Sequence, residues 1–100
     1  MREGSRAFPG PAVVVDLELG TNDAVFIRGK GGGLSWDRGQ PLTCVGSGTW
    51  AWSPRSADKL EFQLLLNDEV WARGEKVILE PGRTIEITPD FEWPEIPRTA

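Results

Sequence analysis

The stretch SADKLEFQLLLND, residues 56–68, decides the fold, because its apolar content allows either a helix or a strand. A helix buries side chains three and four positions apart, whereas a strand buries every second one. Here Leu60, Phe62, Leu64 and Leu66 alternate with Glu61, Gln63 and Leu65, and Asn67–Asp68 closes the run with turn-forming residues. The alternation and the flanking turns select a strand.

The rest of the chain follows the same period. In AVVVDLEL (12–19), Val13, Val15, Leu17 and Leu19 share one face, with Asp16 and Glu18 on the other. AVFIR (24–28) carries Val25 and Ile27 on one side, and PLTCV (41–45) and TWAWS (49–53) are two further strands. After the turn at Asn67–Asp68 come EVWARG, EKVILE (75–80) and, past the PGR turn, RTIEIT with Ile85 and Ile87 alternating. Twelve glycines and eight prolines divide the chain and leave no segment with a convincing helical period. The expectation is an all-β, antiparallel immunoglobulin-like sandwich of seven to eight short strands. Its core is expected to contain Val13, Val15, Val25, Ile27, Leu64, Leu66, Ile85 and Ile87.

One hundred residues suffice for one domain, expected over 11–91, between flexible segments 1–10 and 92–100. The formal charge is −4, with five basic and five acidic residues in the first half and six against ten in the second. An acidic chain without a basic cluster is a poor partner for a phosphate backbone, so no nucleic acid is expected. No apolar stretch approaches the ~18 residues of a membrane span, and the N-terminus lacks a signal-like apolar run. The expected location is therefore cytoplasmic, away from membranes. Cys44, the single cysteine, reads as a small buried strand residue.

Catalysis finds no support in the residue set. There is no His, no Tyr, and no partner for the single Cys, while the carboxylates fall on polar strand faces. No metal-ligand spacing, calcium loop or cofactor motif is present. RGKGGG (28–33) does not match the GxxxxGK[ST] pattern of a phosphate loop, no helix follows to cap an anion, and it reads as a flexible β–β connection.

The five tryptophans carry the functional signal. Trp50 and Trp52 alternate in register, with Trp50 expected as the core member; Trp93, between Glu92 and Pro94, fits either packing or exposure. Trp36, in LSWDRG, and Trp71, in NDEVWARG, stand in polar, glycine-containing connections. Two readings apply: each ring folds back over a sheet edge, or the two stand at one end of the sandwich as stacking platforms.

In order and spacing, AVFIRGKGGGLSWDRGQPL (24–42), TWAWS (49–53) and LEFQLLLNDEVWARGE (60–75) resemble the starch-binding and glycogen-binding modules attached to amylolytic enzymes and glycogen-sensing kinases. In that family a VFIxG-type strand precedes LGxWD, a further strand carries a Trp, and an EYKF-like strand is followed by a Trp shortly before a glycine. The match spans roughly residues 24–76. The resemblance implies an immunoglobulin-like sandwich that binds α-glucan without hydrolysing it, alongside a partner amylolytic or glycogen-metabolising enzyme. It places Trp36 and Trp71 at the two stacking positions, and Trp50 at a mainly structural one. Gln63 stands where the family has a sugar-bonding Lys, and Phe62 replaces a Tyr. Glu75 and Lys76 occupy the place of an expected Asn, and Leu34–Ser35 that of the LG pair. Gln63, Glu75 and Lys76, with Asp37 and Arg73, are the candidates for a polar rim. The rival reading is a protein-interaction module whose exposed aromatics dock a partner protein or domain.

Overall fold

A computed structural model describes residues 11–20, 22–56 and 58–91. The expected flexible ends, Trp93 among them, lie outside the described residues, as do Thr21 and Ala57. The described chain contains no helix and nine strands: β1 Val13–Asp16, β2 Val25–Lys30, β3 Gln40–Pro41, β4 Thr43–Gly46, β5 Thr49–Trp52, β6 Leu60–Leu66, β7 Val70–Trp71, β8 Val77–Leu79 and β9 Ile85–Ile87. They form two sheets, one ordered β4-β5-β1-β9 and the other β3-β2-β6, with β7 and β8 both pairing β6. All pairings are antiparallel except β1 with β9, which is parallel. The architecture is an all-β sandwich.

Alternation builds the core. Val13 and Val15 sit opposite Trp52 and Trp50 across β1–β5, and Val25 and Ile27 sit opposite Leu66 and Leu64 across β2–β6. These inward residues join Leu60, Phe62, Leu42, Leu79 and Phe91 in one cluster between the sheets. Leu60–Leu66 is thus the central strand of the larger sheet, as its period requires.

Four sequence expectations are refined. PLTCV is not one strand, since Gln40–Pro41 pairs with β2 while Thr43–Gly46 pairs with β5 in the other sheet. The chain changes sheet at Leu42, which is buried and donates its N–H to Val25 O at 2.9 Å. Cys44 is exposed rather than buried, because it lies on edge strand β4 beside a register shift, with Sγ 3.2 Å from Gly46 O. Trp52, not Trp50, is the more buried of the pair: it faces Val13 in mid-core, whereas half-buried Trp50 faces Val15 near an open end lined by Leu17 and Leu19. Ile85 and Ile87 are only partly buried against the core, because β9 is an edge strand.

Candidate functional site

The outer face of the larger sheet carries the residues of β6 that alternate away from the core: Glu61, Gln63 and Leu65. In register, Leu65 lies between Phe26 of β2 and Trp71 of β7, and Gln63 lies beside Arg28. Trp71 therefore stands on this outer face, and it remains 45% exposed.

The turn before it sets its position. Asn67 and Asp68 both adopt left-handed backbone (φ 56° and 58°), which Asn and Asp tolerate better than other side chains. Asn67 is fixed from three directions. Its N–H donates to Ala24 O at 2.8 Å, its Oδ1 accepts from Ala24 N at 2.9 Å, and its Nδ2 donates to Asp23 Oδ1 at 3.0 Å.

Trp36 comes from the β2–β3 connection, and that loop is pinned on both sides of it. Its three glycines at 31–33 all take positive φ, forming the β–β connection expected rather than a phosphate cradle. Leu34 packs against the core, and Ser35 O accepts from Gly29 N at 3.1 Å. Beyond the tryptophan, Gly39 N donates to Asp68 Oδ2 at 3.3 Å. A Cβ at Gly39 would fall 2.8 Å from Asp68 Cγ and 3.1 Å from Phe26 Cβ, so only glycine permits this approach. Gln40 ties the loop to the core, donating to Gly33 O at 2.7 Å and accepting from Trp52 Nε1 at 2.9 Å.

The two indoles meet. Their centroids lie 6.3 Å apart with planes tilted by 35°, and Trp36 is 37% exposed. Together with Gln63, Ala72, Gly74, Glu75 and Lys76 they line an open cleft of about 570 Å³. All five residues singled out in the sequence (Trp36, Trp71, Gln63, Glu75 and Lys76) line this one cleft. Of the two further rim candidates, Asp37 is exposed on the Trp36 loop and Arg73 on the β7–β8 connection, and neither lines it.

Gln63 plays a part that its place in the sequence did not announce. β7 and β8 both pair with β6, but between them residues 73–76 leave the ladder. The Gln63 amide fills that gap, donating to Gly74 O at 3.3 Å and Glu75 O at 3.0 Å, while its Oε1 accepts from Leu64 N at 2.9 Å. Its two N–H donors are thus spent on the loop, and it is 8% exposed. Lys76 bonds Glu61 Oε1 at 3.0 Å, and that hydrogen bond and charge hold the Glu61 carboxyl below its ordinary range.

Arg28 and Asp68 were missed in the sequence. Arg28 alternates outward with Phe26 and Lys30, and nothing local to it signals a partner. Its Nε donates to Asp68 Oδ1 at 2.9 Å, one terminal nitrogen reaches Asp68 O and the other Trp36 O (both 3.3 Å), and its guanidinium carbon lies 5.6 Å from the Trp71 ring centroid. The Arg28 hydrogen bond, helped by Gly39 N–H, lowers the Asp68 pKa against the opposing pull of desolvation. Among the described residues no group of three or more side chains converges as a metal site, and no helix is long and apolar enough to cross a membrane. No protein-family model matches the chain, and no curated protein matches its sequence.

Proposed function

We propose that this domain is a non-catalytic carbohydrate-binding module that holds an α-glucan of the starch or glycogen type on Trp36 and Trp71. The observation that carries the reading is the juxtaposition of two exposed indoles, 6.3 Å apart and tilted by 35°, on the wall of an open cleft. A pyranose ring offers a face of C–H groups to an indole, and stacking removes apolar area from water at ~25 cal/mol per Å². Two rings at an angle suit a curved chain better than a flat one. The sugar hydroxyls need polar neighbours, and Lys76 and Glu75 supply them. The Lys76 ammonium has three donors, of which Glu61 takes one, and the exposed Glu75 carboxylate accepts. Gln63 contributes by holding the Gly74–Glu75 backbone in place. The resemblance of residues 24–76 to starch-binding modules supports the same reading, and an open cleft of this kind fits a Kd between ~1 mM and ~1 µM.

The second reading, docking of a partner protein, draws on Ile78, which is 45% exposed and pairs with Glu61 on the same outer face. Titration of intrinsic tryptophan fluorescence with soluble starch, glycogen and β-cyclodextrin tests the proposal. A saturable change that Trp36→Ala and Trp71→Ala each weaken supports it. No response to any of the three at millimolar concentration rejects it in favour of the docking reading.

A further inference from the structure

The platform is built from two segments with no covalent reason to keep a fixed angle: Trp36 sits in a loop and Trp71 on a two-residue strand. One side chain touches both. The Arg28 guanidinium bonds the Trp36 carbonyl, faces the Trp71 ring, and is itself oriented by Asp68, whose carboxylate also holds Gly39 N–H at the far side of the Trp36 loop. We propose that Arg28 is a positioning residue that sets the mutual orientation of Trp36 and Trp71, and that Asp68 is the anchor that orients Arg28. This inference rests on the glucan-binding reading only for its consequence in affinity; its geometric content stands apart from any ligand.

The physical case turns on shape. Guanidinium is planar, with donors in a rigid fork, so it can bond a carboxylate and a carbonyl in its own plane while presenting a face to an indole. An ammonium keeps the charge but has neither the fork nor the flat face. Arg28 is also well placed to be rigid, since its backbone is in the mid-sheet ladder of β2, paired with Gln63, and only about a fifth of its side chain is exposed. A pre-oriented pair of rings loses little freedom when a sugar arrives, whereas a loose pair must be ordered by the ligand.

The experiment uses the full chain and two readouts. Coupled indoles at this distance give an exciton couplet in far-UV circular dichroism, whose amplitude depends on their mutual angle; Trp36→Phe identifies the part of the signal that belongs to the pair. Arg28→Ala and Arg28→Lys are then compared with the parent for couplet amplitude and for β-cyclodextrin affinity by fluorescence titration. The expected result is a couplet reduced most of the way to the Trp36→Phe level in Arg28→Ala. Affinity should fall about ten-fold while the melt stays cooperative, and Arg28→Lys should recover less than half of either loss. A folded Arg28→Ala or Arg28→Lys protein with the parent's couplet and affinity overturns the proposal. If Arg28→Ala does not fold, Arg28→Lys, which retains stem and charge, decides. If the parent binds no glucan, the functional reading fails while the couplet still decides the role of Arg28.

Discussion

Gln63 and Glu75 are joined by a hydrogen bond from side-chain amide to backbone carbonyl, 3.0 Å long, across the gap that β7 and β8 leave beside β6. The same amide oxygen accepts the buried N–H of Leu64. Gln63→Ala would leave that N–H without a partner and free the Gly74–Glu75 backbone. A buried donor left unsatisfied costs about 1–3 kcal/mol. We expect a lower urea midpoint, faster amide exchange at Leu64, and weaker glucan binding. A variant with the parent's midpoint and exchange would show that Gln63 does not hold this loop.

Acid should loosen the platform in a defined direction. The Arg28 hydrogen bond places the Asp68 pKa below its ordinary 3.8, and the Lys76 hydrogen bond and charge place Glu61 below its ordinary 4.5. Asp58 is likewise lowered, by hydrogen bonds from Ser56 and Gly32 N–H. A carboxyl whose folded pKa is depressed binds fewer protons folded than unfolded. Its contribution is therefore fully present above the ordinary value and drains as pH falls through the lower folded one. Urea midpoints taken from about pH 6 down to about pH 2.5 should fall on the acid limb. Asp68→Asn should be less stable near neutrality and show a shallower acid limb. An unchanged limb in Asp68→Asn would mean that the Arg28–Asp68 pair contributes nothing measurable.

Trp52 should matter more to stability than Trp50. Trp52 is buried opposite Val13, and its Nε1–H is the link to Gln40 and so to the Trp36 loop. Trp50 bonds Leu17 O at 2.9 Å but stays half-buried at an open end. Trp52→Ala should cost about 3–5 kcal/mol and Trp50→Ala clearly less, as calorimetric melts of both would reveal. The reverse order would restore the sequence-based expectation that Trp50 is the core member.

That exchange of roles shows what sequence can and cannot carry. Period-two alternation placed Leu60, Phe62, Leu64 and Leu66 inward and marked the strands, because face is a local property of a pleated chain. Which strand becomes an edge is not local, so Cys44 and the isoleucines of β9 were expected deeper than they lie. The switch of sheets at Leu42 is equally silent, since Gln40–Pro41 and Thr43–Gly46 form one continuous extended pattern in sequence. At the site, Trp36 and Trp71 stood out as large rings in polar connections. Arg28, Asp68 and Gly39 did not, because their meaning lies in a three-way contact between segments far apart in the chain.

The strongest test falls on the two rings. Each is exposed, so each is available to a ligand and contributes modestly to the core. Trp36→Ala and Trp71→Ala should each weaken binding of soluble starch or β-cyclodextrin by about ten-fold or more, equivalent to ~1.4 kcal/mol, reasonable for the loss of one aromatic face. Their effects on stability should differ. Trp36 leaves a loop held on either side by Leu34, Ser35 and Gly39, so its removal should change the melt little. Trp71 pairs with buried Leu65 in the ladder, and its removal should uncover apolar surface at a cost of roughly 1 kcal/mol more. Binding should vary weakly with salt, because the glucan is uncharged, and stacking on it or hydrogen-bonding its hydroxyls is little screened. Isothermal titration of both variants at low and high ionic strength would measure this. Strong salt dependence, or affinity untouched by either substitution, would count against stacking of an uncharged glucan on the indoles and favour the protein-docking reading.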